Sequence, residues 1–332
     1  MSAEPQATPP GIDEVRHLRD RLRQWLIQTP VVRCRNLEDR LDDGAEIHGK
    51  LEFLQQTGTF KPRGALSVVL GLSDEQLASG ITAVSAGNHA IAAAFAASAV
   101  GSSAKVVMIS SASPVRVAAC RTFGTEVVFA DDVHQAFDLV EEIREKEGRF
   151  FVHPFEGPEV VAGTATVGLE ICEQLADFDA LIVPIGGGGL CAGISSAVKQ
   201  LNPGCTVIGV EPEGAASMHL SFASGHAENI ATVSTIADSL GAPFAMPYSY
   251  TICQQNVDEL VLVSDSEMRA AMGLLFRDMK MAVEPACAAS TAALAGPLRG
   301  RFDGKKVVLV FCGSNIDWMS FEKHADLQYA DR

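Results

Sequence analysis

Basic charge is scarce in this 332-residue chain: 26 Lys and Arg stand against 41 Asp and Glu, for a formal net charge of −15. Nucleic-acid binding calls for a basic face, so no nucleic-acid partner is expected. Charge of either sign is modest, 20% against 47% apolar residues, and mean hydropathy is +0.16. Intrinsic disorder needs the opposite balance. Clustered metal ligands are missing too. The eight cysteines (Cys34, Cys120, Cys172, Cys191, Cys205, Cys253, Cys287 and Cys312) form no C-x-x-C, and the eight histidines are equally scattered. No zinc or other metal site is therefore expected, and the thiols read as buried groups of a reducing cytoplasm. Met1 to Pro10 is polar and Pro-rich with no apolar core, so no signal peptide is expected there. The uncharged run Ala90 to Ala104 is mostly Ala and Ser. A membrane span takes about 20 strongly apolar residues, so this run reads as a buried helix and no membrane partner is expected.

The length suits two domains or one large one, with a core that needs no staples. There is no short-period repeat and no low-complexity linker. Residues 1–10 read as a disordered tail, and Val15 to Gln28 as a surface helix. Strands are predicted at Thr82–Ser85, Lys105–Ser110, Glu126–Ala130, Ala180–Ile185, Thr206–Val210, Glu259–Val263 and Lys306–Phe311. Helices are predicted at His89–Val100, His134–Lys146, Val160–Leu175, Leu190–Leu201 and Asp265–Met281. This alternation, with Val/Ile-rich strands, implies an α/β protein whose parallel sheets are covered by helices. Ligands of such sheets bind beyond the carboxyl ends of the strands. The loops to inspect are Ser85-Ala86-Gly87-Asn88-His89, Gly186-Gly187-Gly188-Gly189 and Cys312-Gly313-Ser314-Asn315.

Four consecutive glycines between a strand and a helix let backbone N–H groups converge on an anion, with the helix start adding its partial positive charge. A phosphate is the natural guest. Gly187-x-Gly189-x-x-Ala192, with Glu211 ending the next strand, also fits the fingerprint of a nicotinamide-dependent dehydrogenase. Alternatively, Glu211 simply ends its strand. Among the nine lysines, Lys61 is unusual: it lies between Phe60 and Pro62, flanked by Gly58 and Gly64. A lysine held near a ring on a constrained turn can have a lowered pKa and act as an amine nucleophile.

Phe60-Lys61 with Arg63-Gly64-Ala65, then Ser85 to His89, the four glycines and Cys312 to Asn315, in that order, resemble the fold-type II pyridoxal-phosphate enzymes. The nearest group is the threonine/serine dehydratases, with serine racemase as a relative. His153-Pro154-Phe155 and Ala162-Gly163-x-x-Thr166-x-Gly168-Leu169-Glu170 also look like family segments. The resemblance implies a two-domain fold of the tryptophan synthase β type. Leu51 to Arg149 would form the smaller domain; residues 11–50 with 150–322 would form the larger. It further implies the short, catabolic type without a regulatory domain, acting as a homodimer.

The resemblance also implies roles. Lys61 bonds the pyridoxal aldehyde and, once freed, removes the Cα proton of the substrate. Phe60 packs near the ring, Asn88 bonds its phenolic oxygen, Gly186 to Gly189 hold the phosphate, and Glu284 lies at the same cofactor. Ser85, Ala86, Gly87, Asn88 and His89 wrap the substrate carboxylate; Asn88 and His89 equally suit a helix cap. Cys312, where Ser is usual, faces the pyridine nitrogen. A thiol cannot hold that nitrogen protonated as a carboxylate would, which agrees with β-elimination. Ala86 replaces the serine of serine racemase and cannot move a proton, which disfavours racemisation. The implied reaction takes a 3-hydroxy-L-amino acid such as threonine or serine to a 2-oxo acid and ammonia. Ser239, Cys287 and Thr59 depart from the usual residues near the expected pocket walls. They admit other β-hydroxy amino acids, such as 3-hydroxyaspartate, phenylserine or a compatible-solute catabolite. Glu211 matches one cation ligand of relatives, but Ser217 stands where an Asp is expected, so no metal is assigned. A dehydrogenase and a non-catalytic ligand binder are the competing classes; the presence of Lys61 argues against the latter.

Overall fold

Ten short strands build two separate sheets in the computed structural model, which describes residues 7–85, 87–110 and 112–327 apart from the side chains of Val133 and His134. The strands are β1 (Val31–Arg33), β2 (Glu46–Leu51), β3 (Ile81–Val84), β4 (Ala104–Ile109), β5 (Glu126–Ala130), β6 (Phe150–Phe151), β7 (Ala180–Pro184), β8 (Thr206–Pro212), β9 (Glu259–Val263) and β10 (Lys306–Phe311). The larger sheet runs β1-β2-β10-β7-β8-β9, parallel except for β1. The smaller runs β5-β4-β3-β6, all parallel. Helices cover both sheets, so central strands such as β7, with all five residues buried, need side chains that are apolar on both faces.

Each of the seven expected strands is present, three of them with the predicted ends. The additional strands gave little pattern to read. β1 and β6 are two or three residues long, and β2 carries Glu46, His48 and Lys50 along an otherwise buried strand. The helix expected over Asp265–Met281 stops at Met279 because Lys280 turns into the left-handed region at φ 59°. Its start is sharp: the Ser264 hydroxyl accepts from the Glu267 N–H, while the Glu267 carboxylate accepts from the Ser264 N–H. The first helix, expected over residues 15–28, spans Ile12–Leu22. Residues 7–10 correct the expected tail. The Gln255 and Gln200 amides and the Tyr248 hydroxyl bond the carbonyls of Ala7, Pro10 and Thr8 at 3.2, 3.0 and 2.7 Å.

Beneath the helix Pro62–Val69 lies a buried network of four charges. The Arg63 guanidinium donates to both oxygens of Glu52, at 2.7 and 2.9 Å, and to both of Glu170, each at 2.8 Å. The Lys50 amine donates to Glu170 at 2.6 Å and to the Thr29 carbonyl at 2.7 Å. None of these four ionic side chains belongs to a residue more than 2% exposed. The two positive and two negative charges balance, and each carboxylate has several donors, which is the condition for burying charge at all. The network ties β2 and the turn after it to the helix Pro158–Gln174 and to the helix that begins beside Lys61. Glu170→Ala should therefore destabilise the chain by about 3–5 kcal/mol, because it leaves two buried cations with one carboxylate between them. Denaturant unfolding of the variant measures this; a change below about 1 kcal/mol would contradict the account.

Candidate active site

Lys61 stands at the head of the helix Pro62–Val69, where Pro62 supplies a preset first turn. The preceding residues are pinned to the end of β10: Thr59 bridges Gly313, and the Phe60 N–H donates to the Cys312 carbonyl at 3.2 Å. The Lys61 amine donates to the Pro154 carbonyl at 2.7 Å and lies 5.1 Å from the centre of the Phe60 ring. Desolvation brings the amine down to about 8, with Cys312 and Glu284 opposing the shift.

Beyond β7 the chain passes through Ile185 and the four glycines into the helix Gly189–Leu201. Side chains are excluded here for steric reasons. A Cβ at Gly187 would stand 2.3 Å from the Phe155 ring, and one at Gly189 would stand 2.3 Å from the Phe155 carbonyl oxygen. Gly188 adopts φ +96°. The helix start therefore offers bare N–H groups and the positive end of its dipole. A cavity of about 440 Å³ joins this cradle to Lys61; Phe60, Asn88, Glu284 and Cys312 line it as well. An amine able to bond an aldehyde and a cradle suited to a phosphate thus share one enclosure, with a thiol on its wall. Those are the fittings pyridoxal phosphate requires.

Asn88 opens the helix Asn88–Ala99, and its side chain is fully engaged. Its amide nitrogen donates to Glu284 at 2.8 Å and to the Ser239 hydroxyl at 3.1 Å, and its oxygen accepts from the Asn315 amide at 2.9 Å. Burial pushes Glu284 up to about 7 against the Asn88 bond. A hydrogen bond with the free thiol of Cys287, together with burial, holds the Cys312 thiol well above its ordinary pKa and so neutral. Ser85, Gly87, Asn88 and His89 line a second, more open cavity of about 710 Å³ that shares Lys61. The Ser85 hydroxyl accepts from the Gly87 N–H at 3.1 Å. His89 turns to the Val152 carbonyl at 2.7 Å, and desolvation lowers it to about 3, so it is a neutral ring at working pH. Ala86 lies outside the described residues.

The other residues expected at the cofactor and at the substrate carboxylate thus meet around Lys61. Four that frame the same cavities were given no role: Phe155 against the glycines, Leu240 beside Gly186, and Arg116 with Asp238 at the mouth. Phe155 falls in a segment that already looked like the family's. Arg116 carries no sequence signal that separates it from a surface arginine. Glu211 lies elsewhere. Its carboxylate accepts from the N–H groups of Met218 and His219 at 2.8 and 2.7 Å and caps the helix Ser217–Ser224. That leaves the dinucleotide fingerprint without its free acid.

Comparison with known proteins agrees with this geometry. Residues 22–313 match the family described as pyridoxal-phosphate dependent enzyme. A phenylserine dehydratase of Ralstonia pickettii is 53% identical, over 96% of this chain and 98% of its own. A catabolic L-threonine dehydratase of Escherichia coli is 39% identical over 93% of this chain and 94% of its own. Threonine deaminase isoform 2 of Solanum lycopersicum, in its processed form, superposes with a TM-score of 0.89 at 32% identity, covering 98% of this chain and 96% of that one. The chain belongs to the pyridoxal-phosphate dependent enzymes of fold type II. Its relatives carry the names of dehydratases and ammonia-lyases, and its cofactor is pyridoxal phosphate, not a nicotinamide.

Two outcomes follow from the cavity. Gly187→Ala forces a methyl group into the Phe155 ring and should raise the dissociation constant for pyridoxal phosphate by about tenfold or more, read from the visible absorbance retained on dialysis. Wild-type cofactor retention would refute the cradle. Loading of the apoprotein with pyridoxal phosphate should accelerate as pH rises through about 8, where the Lys61 amine loses its proton. A loading rate flat across that range would count against the enclosed amine.

Proposed function

We propose that this chain is a lyase that removes water from a 3-hydroxy-L-amino acid and releases a 2-oxo acid and ammonia. The observation that carries the reading is the placement of the Lys61 amine and the glycine cradle at two ends of one cavity. When bound, pyridoxal phosphate supplies the electron sink that acidifies the substrate Cα.

The chain's own residues do the rest. Lys61 holds the cofactor and then takes the Cα proton; an amine near 8 exchanges a proton easily around neutrality. Gly186 to Gly189 orient the cofactor through its phosphate, and Phe60 flanks the ring. Asn88 is the donor for the phenolic oxygen and exchanges its bond to Glu284 for that one. Ser85, Gly87 and the N–H groups at the head of the helix Asn88–Ala99 receive the substrate carboxylate. Cys312, held neutral, would offer the pyridine nitrogen no charge to keep it protonated, and the bound cofactor would then be a weak sink. Elimination of a β-hydroxyl tolerates that better than racemisation does. His89, lowered to about 3, is a neutral ring, and an alanine at position 86 has no proton to move, so neither supplies the acid that racemisation needs on the second face of Cα.

Serine, threonine, phenylserine and 3-hydroxyaspartate are the candidate members of this class, and the panel below ranks them. The relative named phenylserine dehydratase supports the larger, aromatic member. Eight free cysteines suit a reducing cytoplasm, and among the described residues no helix is long and apolar enough to cross a membrane. The deciding experiment is a panel of 3-hydroxy-L-amino acids scored for 2-oxo acid and ammonia. At least one should be turned over, and Lys61→Ala should lower that rate by about 10³-fold or more. No product from any member, or near-normal turnover by the variant, would overturn the reading.

A further inference from the structure

The cavity over Lys61 carries on its wall an ion pair between elements beside the two sheets. Arg116 comes from the helix Pro114–Thr122 beside the smaller sheet, and Asp238 from a short turn in the larger half, Asp238–Leu240. The guanidinium donates to both oxygens of Asp238 and, through Nε, to the Asn315 carbonyl at 3.3 Å; its Nη2 also lies 3.9 Å from Glu284. Its side chain is 13% exposed. The pair lines the cavity over Lys61 and also a wider pocket outside it. It also stands beside the loop expected to receive the substrate carboxylate, since a Cβ on Gly87 would lie 3.0 Å from Arg116 Nη1.

The charges around this cavity are unequal in availability. Among the described residues lining it, the groups that carry positive charge are Lys61, which is reserved for the chemistry, and Arg116, each of whose three nitrogens already donates to Asp238 or to the Asn315 carbonyl. Asp238 lines the same space, so a second carboxylate on the substrate would meet an acid and no vacant cation. Most of the remaining wall is apolar, from Val84, Pro154, Phe155 and Ala242, and the Ser239 hydroxyl there is already engaged with Asn88 and Asp238. Apolar atoms there lose nothing by meeting an apolar substituent, whereas a carboxylate would lose its water without a partner.

We propose that the Arg116–Asp238 pair is a specificity determinant that rejects substrates with an acidic β-substituent and leaves the site to neutral, apolar or aromatic ones. Discrimination of this kind works by withholding a partner from the wrong ligand rather than by adding a contact for the right one. The inference rests on the cavity over Lys61 being the substrate site. It identifies Asp238 as the residue that keeps Arg116 from a substrate anion.

Binding of two unreactive analogues tests this without turnover. L-Phenylalanine and L-aspartate are titrated calorimetrically into the holoenzyme. Wild type should bind phenylalanine more tightly than aspartate by about tenfold or more. Asp238→Asn frees the guanidinium, so the ratio should fall by about tenfold, mostly through gained aspartate affinity. Adding Arg116→Gln, or Arg116→Met should that variant fold poorly, should erase part or all of the gain. Equal or better aspartate binding by wild type would overturn the proposal. So would a ratio untouched by Asp238→Asn, as expected if the pair merely holds the two halves together. So would a gain undiminished in the double variant. These ratios stand apart from the panel of hydroxy amino acids, whose failure would sink the lyase reading instead.

Discussion

Two cations and two carboxylates, buried together beneath the helix that follows Lys61, are the constraint on which the rest of the site depends. Arg63 lies two residues after Lys61, and its guanidinium holds Glu52 and Glu170 at once. Water cannot compensate these charges, so each member must stay where its partners are. The turn after β2, the long helix Pro158–Gln174 and the lysine-bearing helix are therefore fixed relative to one another. Apolar packing would tolerate a shifted helix more readily than a forked guanidinium does.

On that frame the site works by burial. Desolvation lowers the Lys61 amine and the His89 ring and raises the Glu284 carboxyl, each toward its uncharged form. Cys312 is held neutral as well. The pocket offers a cofactor few fixed charges beyond the dipole at the head of the helix Gly189–Leu201. The phosphate end is where charge is welcome; the ring end is not.

The sequence disclosed the parts whose signals are local. Strand–loop–helix rhythm located the glycine cradle, and the setting of Lys61 between Phe60 and Pro62 marked it out among nine lysines. Ordered motifs carried the fold type. What stayed hidden depends on distant partners. β2 looks too charged for a buried strand because Lys50 is answered by Glu170, 120 residues away. The helix Pro285–Ala295 is buried all round and has no amphipathic period to show. Arg116 became informative only when the fold placed Asp238, 122 residues on, within reach of its guanidinium. Glu211 shows the converse: a well-spaced acid can be spent on capping a helix.

The glycines outside the cradle bear on the site as well. A Cβ on Gly163 would lie 2.3 Å from the Arg63 carbonyl oxygen, and one on Gly193 would lie 2.5 Å from that of Val161. The lysine helix thus rests on the helix Pro158–Gln174, and that helix on the one leaving the cradle, backbone against backbone. The span from the amine to the phosphate cradle is set by main-chain thickness, not by side-chain volume. Cavity walls such as Ser239 and Ala242 can be exchanged for new substrates while that span, matched to a rigid cofactor, keeps its length. The fold acts as a fixed gauge with replaceable jaws.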